Sequence, residues 1–203
     1  MDFQLAVFQI VVLIFSAIIH EVAHGAMANH LGDPTAKNLG RLTLNPIKHI
    51  DVFGSILLPA LLVLSRSSII FGWAKPVPYN PMFLRNPKRD AAYIAVAGPL
   101  TNFAVALILG MVLRFIVLPD TFTLALEVII YINVLLGVFN LVPIPPLDGS
   151  KLLFAVLGER QAALERFLEQ NSTLILLLFI FFGFQFLTPV IHVLFRLFSG
   201  VSF

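Results

Sequence analysis

Apolar residues fall in five runs, about Phe3–Ala28, Val52–Leu64, Ala91–Leu118, Leu124–Val142 and Thr173–Phe198, and the stretches between them hold nearly all of the charge. A helix needs roughly 20 predominantly apolar residues to cross ~30 Å of hydrocarbon, and four of the runs are long enough. The second run has 13 residues, contains Pro59, and passes through Ser65-Arg66-Ser67-Ser68 into a short apolar return at Phe71. That pattern predicts a re-entrant or interfacial segment, about 45–71, rather than a crossing. Thr188-Pro189 interrupts the last run, because proline removes a helical donor there; a kink is predicted, or a split into a span and a shorter amphipathic tail.

The polar stretch from Pro143 to Ser172 carries Glu159, Arg160, Glu165, Arg166 and Glu169 at helical spacing, the pattern of a solvated surface helix. The fold expected is therefore an all-α integral membrane protein. It is a polytopic helical bundle with four full spans, the short re-entrant or interfacial segment and small extended loops, in one membrane-embedded domain covering residues 1–203. Its parts are a first helix at about 3–28, core helices at about 91–118 and 124–142, and a C-terminal helix at about 173–198.

Composition agrees with the pattern. Of 203 residues, 59% are hydrophobic and 12% charged, with mean hydropathy +0.95, far from an ordinary soluble domain. There is no cysteine, so any metal must be held by imidazole and carboxylate groups. The net charge of +2 is spread along the loops, which excludes the concentrated basic face that nucleic-acid binding needs. Residues Met1 to Gln9 lack the basic start of a secretory signal, so the first run is expected to be a retained span. If the second run does not cross, Lys37, Arg41, Lys48, Arg66, Lys75, Arg85, Lys88, Arg89, Lys151, Arg160 and Arg166 share one side. The positive-inside tendency makes that side cytoplasmic, with the plasma membrane as the expected location.

The first apolar run contains His20-Glu21-Val22-Ala23-His24. Residues four apart on a helix project from one face, so two imidazoles can grip one ion, and Glu21 stands beside that face as a general base that is not itself a ligand. Ionisable groups in a membrane helix are costly unless they face an interior site; the plainer alternative is a polar helix–helix contact or a proton relay. Catalytic zinc commonly has three protein ligands, and Asp148 is the candidate third. It follows Pro143-Ile144-Pro145-Pro146, which breaks the helix, and precedes Gly149. As an aspartate before a new helix it is also a natural N-cap, and the two roles are compatible. His20 and Asp148 meet only if an even number of crossings separates them, so site geometry and charge distribution both favour a second run that returns.

Three motifs together resemble the site-2 protease family of intramembrane zinc metalloproteases. They are His20-Glu21-x-x-His24, Ala97-Gly98-Pro99-Leu100-Thr101-Asn102, and Asn140-x-x-Pro143 leading to Leu147-Asp148-Gly149 (about 140–149). The resemblance implies one Zn2+ ion held by His20, His24 and Asp148, with Glu21 activating water. It also implies a three-helix core around the metal on the cytoplasmic side, and a membrane protein with a transmembrane segment as the substrate. The chain departs from the family pattern in lacking a long helix before the zinc helix and in inserting Asn45 to Phe71 ahead of Gly72-Trp73-Ala74-Lys75-Pro76-Val77-Pro78.

Asn102 and Asn140 are candidates for substrate or oxyanion contact, or equally for hydrogen bonds between helices. Gly98-Pro99 is expected to permit close helix contact rather than chemistry. Arg41 to Leu44 and Gly72 to Pro78 are patterned as extended segments, forming either an edge for an unwound substrate or a structural hairpin. His30, His49 and His192 lack a partner at ligand spacing and are expected to be interfacial or packing residues. Two competing functions remain at this level: a zinc-binding membrane adaptor without activity, against which Glu21 argues, and a metal transporter, which would need ligands on both sides. Nothing in the pattern sets the oligomeric state.

Overall fold

The structure is a computed structural model that describes residues 3–65, 73–157 and 161–201. It is helical, with no strand among the described residues. Helix α1 spans Phe3–His30 without an internal proline or glycine break until its last turns. It stops at Gly32, whose φ of +107° is open to glycine without steric cost. The amide of Gly32 donates to Asn29 O at 3.3 Å and that of Asp33 to Ala28 O at 2.9 Å, a Schellman closure that turns the chain back along the helix.

A short helix α2 (Thr35–Asn38) follows, then a 3-10 turn at Pro46–Lys48. The second apolar run forms a π-helical turn, Val52–Leu57, continuous with α3 (Leu58–Leu64). Together they are too short to count among the candidate spans. The far end of the 45–71 segment, including Arg66 and Phe71, lies outside the described residues, as does Gly72. Residues 73–80 run as an irregular strap into a 3-10 turn at Pro81–Phe83.

Helix α4 (Pro87–Phe115) starts with proline at N1 and contains Pro99; α5 (Asp120–Asn140) follows after a four-residue connection. Helices α1, α4 and α5 pack against one another as the core of the bundle. Helix α6 (Gly149–Leu157) lies on α4. The predicted surface helix is α7 (Ala162–Gln170), with Glu159 and Arg160 outside the described residues. Exposed pairs Lys88–Glu165 (3.3 Å) and Lys151–Glu169 (3.5 Å) join it to α4 and α6, contacts worth at most about 1 kcal/mol each.

The C-terminal run is not one helix. It divides into α8 (Ser172–Leu178), a π turn (Phe179–Gly183), a 3-10 turn (Phe184–Phe186) and α9 (Thr188–Ser199). Pro189 opens α9, as its missing N–H requires. Where four spans are expected, the described residues hold three helices long and apolar enough to cross, α1, α4 and α5, or four if Ala162–Gln170 and Ser172–Phe186, bent by 71°, count as one. Helix α9 returns over α4 and α5, burying Ile191 and Phe195 against Ala106, Ile130 and Val134. Gly110 makes this possible: a Cβ there would lie 2.3 Å from Phe198 O.

The expected extended segments lie beside each other without forming a ladder. Arg41 instead donates from its guanidinium to Lys75 O (2.9 Å) and Pro76 O (3.2 Å). Pro76 and Pro78 have no N–H to offer a neighbouring strand, which is the physical reason that none forms.

Candidate metal centre

His20 and His24 lie on the face of α1 that α4 and α5 cover, and both are buried. Their rings meet edge to face with centroids 4.5 Å apart. Gly98 of α4 sits directly against them: a Cβ there would approach His20 Nε2 and His24 Cε1 to 2.6 Å. The close helix contact expected at Gly98-Pro99 is thus a contact with the two imidazoles themselves.

The chain after α5 is irregular through Val142–Leu147, with a cis Pro145–Pro146 peptide, and it delivers Asp148 to the same point. Asp148 Oδ2 lies 3.0 Å from His20 Nε2 and 3.2 Å from His24 Nε2. The carboxylate is therefore directed at the histidines, while α6 begins on the Ser150 and Lys151 amides bonded to Leu147 O and Asp148 O. The predicted meeting of the first helix with the Asp-Gly motif is what the fold brings about. Gly149 is needed for this path, since a Cβ would lie 2.2 Å from Leu141 O.

Hydrogen bonding sets which ring nitrogens are available. His24 Nδ1 is 2.6 Å from the carbonyl of Ile94, which can only accept, so the proton sits on Nδ1 and the Nε2 lone pair is free. His20 Nδ1 is 2.6 Å from Asn102 Oδ1. The orientation of that amide follows from its other contacts, because Asn102 Nδ2 faces Ser16 O (3.3 Å) and Asn133 Oδ1 (2.9 Å). Asn133 is oriented in turn by donating to Ile129 O and Ser16 Oγ, each at 2.9 Å. Two backbone carbonyls thus propagate a single pattern through both amides, and His20 also presents an Nε2 lone pair.

Asp148 Oδ2 thus faces both Nε2 atoms, at 3.0 and 3.2 Å, a spacing that either an N–H···O bond from a protonated ring or a cation shared by the three groups satisfies. Ligands about 2.0–2.1 Å from a tetrahedral ion are themselves roughly 3.3 Å apart, and an N2O donor set suits zinc. The residues present therefore fit a zinc ion. Glu21 adds a fourth group, the second carboxylate, beside the pair: potential ligand atoms of His20, Glu21 and His24 all lie within 4.8 Å of one another. Its Oε2, however, accepts a 2.7 Å bond from the Val77 amide of the strap, which holds the carboxylate at the rim.

Asn102 is fully buried and bonded only to helix partners, so the structure puts it behind His20, between helices. Asn140 is half-buried and donates to Leu136 O of its own helix at 3.0 Å. It lines two cavities that meet at His20, Glu21 and Pro146. One, about 250 Å³, is lined by polar groups including Tyr79, Asp148 and Lys151. The other, about 450 Å³, is walled by Leu136, Phe139, Leu176 and Ile180 between α5 and α8. His49 is buried with its Nε2 on Thr43 O at 2.8 Å, the packing role expected of it.

Sequence reasoning missed Ser16, Asn133 and the Val77 amide. The first two had a signal: Ser16 is one helical turn before His20 on the same face, and Asn133 is a lone amide within an apolar helix.

The family described as Peptidase family M50 matches residues 8–123 and 117–183. A Bacillus subtilis protein named "Putative zinc metalloprotease YwhC" is 39% identical over 156 residues, 71% of this chain and 66% of its own length. "Zinc metalloprotease MJ0392" of Methanocaldococcus jannaschii is 33% identical over 95 residues, 44% of this chain and 26% of that protein. "Putative zinc metalloprotease Rip2" of Mycobacterium tuberculosis is 30% identical over 197 residues, covering 92% of this chain and 72% of the relative. The chain thus spans a quarter to two thirds of the first two and more of the third. No solved structure matches it.

Proposed function

The chain belongs to peptidase family M50, and on that premise we propose that it is an intramembrane zinc metalloprotease that hydrolyses peptide bonds in or near transmembrane segments of membrane proteins. The observation that carries this reading is the convergence of His20 Nε2 and His24 Nε2 on Asp148 Oδ2, with both Nδ1 protons committed elsewhere and Glu21 alongside. His20, His24 and Asp148 are the proposed zinc ligands. When bound, zinc supplies a Lewis acid that polarises the scissile carbonyl and acidifies water.

Glu21 takes the proton of the attacking water on its free carboxylate oxygen and delivers it to the leaving amine nitrogen. Asn102 holds the His20 ring in its productive tautomer, and the Ile94 carbonyl does the same for His24. Asn140, at the junction of the cavities, is a proposed contact for the substrate backbone. The apolar cavity between α5 and α8 suits an unwound hydrophobic segment, and the polar one suits water and the emerging ends. A helical substrate must unwind to reach the site, since its amides are otherwise satisfied.

We further propose that the bent pair Ala162–Gln170 and Ser172–Phe186 supplies a fourth crossing, that residues 45–71 form a re-entrant segment, and that the site faces the cytoplasm at the plasma membrane. Eleven of the 13 basic residues, all except Arg114 and Arg196, fall in the stretches between apolar runs that share one side if residues 45–71 return, in keeping with the positive-inside tendency.

The test is zinc content and cleavage of a transmembrane substrate by purified protein in detergent. Near-stoichiometric zinc in the wild type and in Glu21→Gln, cleavage only in the wild type, and weakened zinc retention in Asp148→Ala are expected. Full zinc without cleavage of any substrate would transfer the reading to a membrane adaptor, and cleavage surviving Glu21→Gln would remove the assigned base.

A further inference from the structure

The strap at 73–80 is held by a row of its own amides. Trp73 N donates to Gly54 O (3.1 Å) and Lys75 N to His49 O (2.8 Å), Val77 N to Glu21 Oε2 (2.7 Å), and Asn80 N to Asp33 Oδ2 (2.6 Å). The first three alternate, as the inward-facing amides of an extended chain do. Pro76 and Pro78 have no N–H. Within Pro76-Val77-Pro78 there is consequently one donor, and it goes to Glu21.

The strap's register is set at two places on either side of that bond. Val77 packs over Gly25, one turn beyond Glu21, where a Cβ would come within 2.7 Å of Val77 Cγ1. Asp33 holds the other end: it is fully buried, and its second oxygen accepts from the Thr35 amide (2.9 Å) and the Thr35 hydroxyl. Asp33 stands where it does because the Schellman closure at Gly32 folds the end of α1 back on itself. Helix α1 therefore carries Glu21, and the closure just past its end at His30 places the carboxylate that moors the strap.

We propose that Asp33 is a positioning residue, acting through the strap to keep the Val77 amide on Glu21 Oε2 and thereby leave Oε1 facing the reacting water. The proposal rests on the reading of Glu21 as general base. Asp33 lines neither of the two cavities that meet at His20 and Glu21, and its hydrogen bonds go to Thr35 and Asn80. Its loss lets the strap shift and Glu21 rotate, while the histidines, Asp148 and the Asn102–Asn133 pair are unchanged. A general base displaced by about 1 Å is expected to cost on the order of tenfold to hundredfold in turnover.

Amide hydrogen exchange on the full chain in detergent tests this without needing activity, because Val77 is the one exchangeable amide between the two prolines. Exchange at Val77 and Asn80 is expected to be slow in the wild type. In Asp33→Ala both accelerate by roughly tenfold or more, whereas in Glu21→Ala only Val77 does. Asp33→Asn, which preserves shape and one acceptor, gives an intermediate acceleration, and it serves alone if the alanine variant fails to fold. With a cleavable substrate, kcat falls in proportion to the exchange change, KM stays within about twofold and zinc content is constant. Unchanged Val77 exchange in both Asp33 variants would overturn the linkage, as would faster exchange with undiminished kcat. A wild type that cleaves nothing would defeat the protease reading instead, and the exchange comparison would still decide whether Asp33 holds the Glu21–Val77 bond.

Discussion

Replacing Asn102 separates the chemistry of the metal centre from the packing around it. In Asn102→Ala the His20 Nδ1 proton loses its acceptor at 2.6 Å, Asn133 Oδ1 loses its donor at 2.9 Å, and Ser16 O loses a longer 3.3 Å contact. Interhelical hydrogen bonds in membrane proteins average about 0.6 kcal/mol and reach about 1.7, so the two short bonds together account for roughly 1–3 kcal/mol of stability. Removing the partner of a metal-binding histidine costs on the order of 10–100-fold in metal affinity, which is about 1.4–2.7 kcal/mol. Asn102→Asp divides the two effects. Its carboxylate still accepts from His20, so zinc affinity is largely kept, but it cannot donate to Asn133 and sets two acceptor oxygens against each other. Zinc affinity by chelator competition and thermal unfolding in detergent read the terms separately. The expected outcome is loss of both in the alanine variant and of stability alone in the aspartate variant. Zinc affinity within threefold of wild type in Asn102→Ala would refute the idea that this amide sets the His20 tautomer.

Gly98→Ala should lose zinc despite alanine's better helix propensity of about 1 kcal/mol, because its Cβ meets both imidazoles at 2.6 Å; metal content and helical circular dichroism together check this. Burial pushes the pKa of Asp33 up, but hydrogen bonds from Thr35 and Asn80 outweigh it and hold the carboxyl below its ordinary value. A depressed carboxylate contributes stability above its unfolded pKa of about 3.9 and loses it as pH falls through the lower folded value. Acid titration of unfolding should accordingly show a steeper loss below about pH 4 in the wild type than in Asp33→Asn. Asn140→Ala should retain zinc and thermal stability while lowering cleavage by roughly tenfold or more, if its amide contacts the substrate; full activity would assign Asn140 to its own helix alone.

Local rules were enough for much of this molecule. Hydropathy located α1, α4 and α5 to within a few residues, since each is a long apolar stretch and a helix satisfies its own backbone. The four-residue spacing of His20 and His24 placed two imidazoles on one face, and the absence of cysteine narrowed the donors that could join them. The prolines before Asp148 marked the irregular backbone that presents it. Family membership was legible in the same three motifs.

What the tertiary structure alone decided depends on partners far apart in the chain. Periodicity says which face of a helix is polar, but not what lies opposite. The Asn102 bond to His20 closes 82 residues of separation and the Asn133 bond to Ser16 closes 117, and only with both in place are the tautomers determined. Glu21 was visible as a base, but its hold on Val77, 56 residues away, depends on how the strap is moored at Asp33. The C-terminal run shows the same limit from the other direction. Its composition permits a span, but does not show the bend of 71° at its start, and the return of α9 over α4 and α5 is set by packing at Gly110 and the Ile191–Phe195 face. Composition measures what a segment can bury; what buries it is a property of the assembled bundle.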